Sequence, residues 1–120
     1  MAVNLKNLKI KFRNREKIFA GWISFDHPGI AEIFSMIGLD FIGIDMEHAP
    51  ISLDSAQSLI ARAQAYGTAC LPRPVSHSND FFKPLLDSGA DGLIVQMINS
   101  NSDVEKILSY LKFPPLGQRT

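Results

Sequence analysis

The sequence predicts an α/β chain of four strand–helix units with parallel strands. Three observations lead there. Short, continuously apolar runs recur roughly every 25 residues. The segments between them place apolar residues at i, i+3, i+4 and i+7, the spacing of one helix face. Gly or Pro interrupts the chain where one pattern gives way to the other. Strands alternating with helices at this spacing imply βαβ crossovers, which are right-handed and bring every strand's C-terminal end to one rim.

Before the first unit, residues 1–16 carry Leu5, Leu8 and Phe12 at helical spacing among Lys6, Lys9, Lys11, Arg13 and Arg15. This reads as an amphipathic, solvated helix and lead-in. It has neither the apolar core nor the small-residue cleavage site of a signal peptide. The units occupy residues 17–113 as part of one domain. "KIFAGWISF" is aromatic and β-branched and predicts the first strand. His27-Pro28-Gly29 breaks it, and Ile30, Ile33, Phe34 and Ile37 form the first helix stripe up to Gly38. "DFIGID" predicts a second strand covered on both faces. Ser52 then caps a helix with Leu53, Ala56, Ile60 and Ala63 on one face, ended by Gly67. "TACLPR" is the third strand. Pro84 cannot donate a backbone N–H, so the next regular helix is expected to begin near Lys83 or Pro84. "DGLIVQM" is the fourth strand. Ser102 and Glu105 have capping-box spacing before the stripe Val104, Ile107, Leu108 and Leu111. Residues 114–120 form an irregular tail.

Composition narrows the function classes. Hydrophobic residues make up 46% and charged residues 20%, a globular balance. Twelve basic residues against twelve acidic ones leave no bias towards nucleic acid. No apolar run approaches the ~20 residues of a membrane helix. Cys70 is the only cysteine, so no internal disulfide can form and a reducing, cytoplasmic setting is expected. In the apolar stretch "TACLPRP" it reads as a buried hydrophobe rather than a nucleophile. Phosphate-loop, nucleophile-elbow and paired-cysteine zinc patterns are missing from the 120 residues.

The chemistry-bearing residues follow strand ends. Asp45, Glu47 and His48 close the second strand, and Arg73 closes the third. In a doubly wound sheet or a barrel they meet on one face. His48 reads as a general base or as an ordinary loop histidine. Arg73 reads as a holder of a carboxylate or enolate oxygen, or as a rim salt bridge. Asp87, near a helix end, reads as an imidazole-orienting acid or as an ordinary helix-end acid before Gly89. Asp45 and Glu47 are candidates for a substrate or metal–water network. His27 and His77 are expected to be plain loop residues.

The segments "GWISFDHPGIAEIFSMIGLDFIGIDMEHAP", "LPRP", "LLDSGADGLIVQMINS" and "KFPPLGQR" together resemble the HpcH/HpaI family of metal-dependent (class II) 2-oxo-acid aldolases. The resemblance covers about Phe19 to Arg119. It implies the N-terminal (βα)4 half of a TIM (β/α)8 barrel, with helices outside. It also implies reversible carbon–carbon cleavage of 4-hydroxy-2-oxo acids, such as 2,4-dihydroxyhept-2-ene-1,7-dioate, to pyruvate and an aldehyde. A divalent ion, Mg²⁺, Mn²⁺ or Co²⁺, is implied as cofactor, and a homo-oligomer as the assembly. By the resemblance, His48 is the base, Asp87 pairs with and orients it, and Arg73 stabilises the enolate oxygen. Asp45 and Glu47 match the motif.

The chain departs from the family pattern in three ways. Gln96 precedes Met97 where the family commonly has Pro, and Thr120 stands where a Gly is usual. The family's metal-binding acids lie on later strands, outside these 120 residues. The chain by itself is therefore expected to bind metal poorly and to be inactive. The alternative is a non-catalytic half-barrel that associates through its open edges.

Overall fold

The computed structural model describes residues 2–120. Five helices, α1 (Leu5–Arg13), α2 (Pro28–Met36), α3 (Leu53–Ala65), α4 (Asn79–Asp87) and α5 (Asn101–Leu111), accompany three strands, β1 (Ala20–Ile23), β2 (Phe41–Asp45) and β3 (Ala69–Arg73). The strands form one parallel sheet in the order β1-β2-β3. Its register pairs Trp22 with Gly43, Gly43 with Leu71, and Asp45 with Arg73.

Strand alternation divides the side chains between two faces. Ile23, Ile42, Ile44 and Cys70 point to the helices and join Ala31, Ala56, Leu59, Ile60, Ala63 and Leu85 in the core. Trp22, Gly43, Asp45, Leu71 and Arg73 alternate with them and occupy the opposite face. That face is the side a closed barrel would fill, and here Trp22 remains 40% exposed. Gly43 is required there. A Cβ would overlap the Trp22 ring, which lies across the glycine.

The caps explain most of the helix limits. Ser52 accepts from Ser55 N–H at the start of α3, and Gly67 leaves its end at a φ of +80°. His27, expected to be a plain loop residue, caps α2 through Nδ1, which accepts from Gly29 N–H at 3.1 Å. The stripe read on α2 is half used. Ile30 and Phe34 pack on the core, while Ile33 and Ile37 face outward.

Three expectations are corrected. The helix expected to start at Lys83 or Pro84 starts at Asn79, because Ser78 caps it by accepting from Asp80 N–H, and Pro84 lies inside it. The capping box sits two residues earlier than expected. Ser100 accepts from Asp103 N–H at 3.1 Å, and Asp103 accepts from Ser100 N–H at 3.0 Å. "DGLIVQM" is not a regular strand. It runs beside β3, where Asp91 N–H donates to Cys70 O and Ile94 N–H donates to Pro72 O, each at 3.0 Å. A parallel ladder needs return bonds from the N–H groups of Pro72 and Pro74. Proline has none, so the ladder stays one-sided.

Candidate active site

The rim is built from the last residue of β2. Asp45 is 6% exposed. Its Oδ1 accepts from the N–H groups of Glu47 and His48, both at 3.0 Å. These bonds fold the chain into a tight turn and send His48 outward. On β3, the cross-strand partner Arg73 places Nη2 2.9 Å from Asp45 Oδ2 and Nε 3.2 Å from Glu47 Oε2. The Nε contact is an ion pair without hydrogen-bond alignment. The guanidinium carbon lies 4.9 Å from the centre of the Trp22 ring. Such stacking contributes about 0.5–2 kcal/mol, depending on desolvation. The backbone beside it is fixed as well, since Met46 N–H donates to Arg73 O at 3.1 Å.

Burial alone would raise the Asp45 carboxyl pKa. The His48 N–H, the Arg73 guanidinium and the Glu47 N–H together outweigh burial and hold it below the ordinary carboxylate range. Asp45 is thus a fixed negative charge at neutral pH. Two carboxylates face one guanidinium, so with His48 neutral the cluster carries one net negative charge. His48 has its side chain 72% exposed, with Nε2 3.6 Å from Glu47 Oε1. Glu47 therefore stands between the imidazole and Arg73.

The structure brings together four of the five residues singled out from the sequence: Asp45, Glu47, His48 and Arg73. It does not bring Asp87 to His48. Asp87 ends α4, which runs antiparallel to the strands, and the chain then re-enters beside the start of β3 through Asp91. That is the rim opposite His48. There Asp87 Oδ1 lies 3.3 Å from Arg119 Nη2, which ties it to the C-terminal tail, and Arg119 also stacks on Phe113. Two residues at the His48 rim had no role assigned from sequence. Trp22 carried a signal in strand alternation, which puts it on the Gly43 face. His77 lies in the loop after β3, as expected, and its Nε2 contacts Gln96 O.

Cys70 lies fully buried in the core, and burial, reinforced by Asp91, pushes its thiol pKa far up. It is not a nucleophile at neutral pH. Among the described residues no group of three or more His, Cys, Asp and Glu is arranged to hold a metal ion. Of the oxygens a hard cation would seek, Asp45 Oδ2 and Glu47 Oε2 are turned to Arg73, Asp45 Oδ1 accepts from two backbone N–H groups, and Glu47 Oε1 lies 3.6 Å from His48 Nε2. This donor set does not fit direct metal ligation.

The model of the HpcH/HpaI aldolase/citrate lyase family matches residues 19–120. The chain belongs to the HpcH/HpaI aldolase/citrate lyase family. It is 31% identical over 107 residues to a 2-keto-3-deoxy-L-rhamnonate aldolase of Salmonella typhi, covering 89% of this chain and 40% of that protein. Among solved structures, a family member from Burkholderia cenocepacia J2315 superposes with a TM-score of 0.88 at 27% identity, covering 95% of this chain and 47% of that one. The citrate synthase SbnG gives 0.86 at 28%, covering 94% and 46%. The chain thus spans less than half the length of these HpcH/HpaI relatives. Its parallel sheet and helices correspond to a partial half of their TIM-barrel fold. No helix among its described residues is long and apolar enough to cross a membrane.

Proposed function

We propose that this chain provides the base-and-arginine part of a class II aldolase that cleaves a 4-hydroxy-2-oxo acid to pyruvate, or a related 2-oxo acid, and an aldehyde. The observation that carries the reading is His48 and Arg73 on one rim, linked through Asp45 and Glu47. In the cleavage direction the 4-hydroxyl gives up its proton as the C3–C4 bond breaks, and the electron pair moves into an enolate. His48, with an exposed imidazole, takes that proton. Arg73 would stabilise the enolate oxygen through Nη1, which takes part in none of the cluster's ion pairs. A fixed cation aimed at developing negative charge lowers the barrier without reorganising. Asp45 sets the turn that presents His48, and Glu47 balances the guanidinium.

The likeness to a 2-keto-3-deoxy-L-rhamnonate aldolase supports a sugar-derived 2-keto-3-deoxy acid as substrate. The likeness to SbnG, a citrate synthase, supports a fold that also runs carbon–carbon bond formation. A divalent ion supplies Lewis-acid polarisation of the 2-oxo acid when bound in such enzymes. In this reading residues 2–120 supply no direct ligand to it, and the working assembly is a homo-oligomer in the cytoplasm. A second reading, a half-barrel association module, is favoured by the exposed Trp22 and Phe19 on and beside the open sheet face.

The test is a chimera joining residues 1–120 to the remaining segment of the Salmonella relative. Pyruvate release is followed with lactate dehydrogenase, with Mg²⁺, Mn²⁺ or Co²⁺ present. The expected result is turnover that falls about 10²-fold or more in both His48→Ala and Arg73→Lys, the scale of a lost acid–base or charge-stabilising group. Turnover unchanged by His48→Ala would overturn the reading. The 120-residue chain by itself is expected to release no pyruvate, and sedimentation of that chain as a dimer or larger species would support the association module.

A further inference from the structure

We infer that Gln96 is a positioning residue for Arg73: its side-chain amide and its backbone carbonyl latch the loop after β3 to the end of the 91–98 segment. The need for a latch comes from the prolines. The N–H groups on the β3 side facing that segment belong to Cys70, Pro72 and Pro74. Cys70 N–H donates to Asp91 Oδ2 at 2.8 Å, and the two prolines have nothing to donate. After the bond from Ile94 to Pro72 O, the ladder has no further donor on the β3 side. The side chains take over at that point. Gln96 Nε2 donates to Pro74 O at 2.9 Å and to Val75 O at 3.3 Å. His77, from the same loop, returns a contact from Nε2 to Gln96 O.

Pro74 is covalently joined to Arg73, so holding its carbonyl sets the direction in which Arg73 leaves the strand. Arg73 is then gripped from both sides, with Met46 N–H on its own carbonyl from β2 and Gln96 on the next residue's carbonyl from the segment. The guanidinium is left to meet Asp45, Glu47 and Trp22. Gln96 Oε1 is buried without a partner, so the amide's orientation is set by its two donor bonds at the expense of an orphaned acceptor. A side chain present for bulk alone would not need that orientation.

The importance of the placement for catalysis rests on the aldolase reading, while the placement can be measured without it. Trp22 is the only tryptophan in the 120 residues, and its ring lies beside the Arg73 guanidinium. Acrylamide quenching of its emission therefore reports the Arg73–Trp22 stack. The variants are Gln96→Glu, which keeps the shape and loses the donor, and Gln96→Ala, each made with Arg73 present and in an Arg73→Met background. Far-UV circular dichroism checks the fold. One lost neutral hydrogen bond, about 1 kcal/mol, corresponds to an about five-fold larger fraction of chains with the stack open. Both Gln96 variants are expected to raise quenching accordingly, and neither is expected to change it in the Arg73→Met background.

Wild-type quenching in folded Gln96 variants, or the same rise without Arg73, would overturn the proposal. A second readout needs no mutation. The Gln96 side-chain NH₂ protons should exchange with water more slowly than those of the exposed Gln57. Equal exchange would also overturn it. None of these experiments measures turnover, so a failed aldolase reading leaves their outcome intact.

Discussion

Replacing Asp45 by Asn tests the rim most directly. The carboxylate is 6% exposed, pairs with Arg73 at 2.9 Å and accepts from two backbone N–H groups at 3.0 Å. Asn can keep the two acceptor bonds through Oδ1, but its Nδ2 then opposes a guanidinium donor, so the charge pair is lost. Breaking a well-buried pair costs about 3–5 kcal/mol. Arg73 keeps Glu47, its side chain is 21% exposed and the turn bonds survive, so about 2 kcal/mol is expected, within the range for hydrogen bonds to charged groups. At a urea m-value of about 2 kcal/mol/M, the unfolding midpoint moves down by about 1 M.

Acid provides the second arm of the same experiment. The folded-state pKa of Asp45 is depressed, so between the folded and unfolded pKa values the unfolded chain binds the extra proton. The stabilisation is complete above the unfolded value of about 3.9 and is lost as pH falls through the folded one. Asn does not titrate, so the stability gap between wild type and Asp45→Asn should close in acid. A gap under about 0.5 kcal/mol at neutral pH, or one that stays constant from about pH 6 to about pH 3, would refute the reasoning.

Other outcomes follow from single contacts. Gly43→Ala should push the Trp22 ring off the sheet and destabilise the chain by about 1–3 kcal/mol, visible in thermal melting and as a shift in Trp22 emission. Cys70 should react with a thiol reagent at neutral pH only at the rate of global unfolding, since it lies in the core and its thiol resists ionisation; rapid labelling of the folded chain would contradict the packing. Ser100→Ala removes one half of the α5 capping box and should cost about 1 kcal/mol in urea unfolding, whereas Ser102→Ala should be nearly silent.

The first βα units were legible because their signals are local. Ser52 with its apolar stripe, and the buried run "FIGID", carry their structure in a few consecutive residues. The capping box was misread because Ser100–Asp103 and Ser102–Glu105 both satisfy the spacing, and only the path of the preceding chain selects between them. Pro84 misled because position in a helix is set by where the cap falls, and Ser78 falls six residues earlier. Gln96 was visible in the sequence only as a departure from a family pattern. What it touches is a loop some twenty residues away.

The sequence by itself determined the alternation of strand and helix, and hence that Asp45, Glu47, His48 and Arg73 emerge at one rim, because strand direction and crossover handedness follow from chirality and chain length. It also determined the family, through motifs spread over residues 19–120. Tertiary structure alone decided the partners at the rim. Arg73 sits between Asp45, Glu47 and Trp22 because strand register places them side by side. Asp87 serves Arg119 at the far end because a helix returning along the sheet carries its last residues to the opposite rim. The fourth segment lies against β3 without a full ladder because two prolines remove the donors that a local pattern takes for granted.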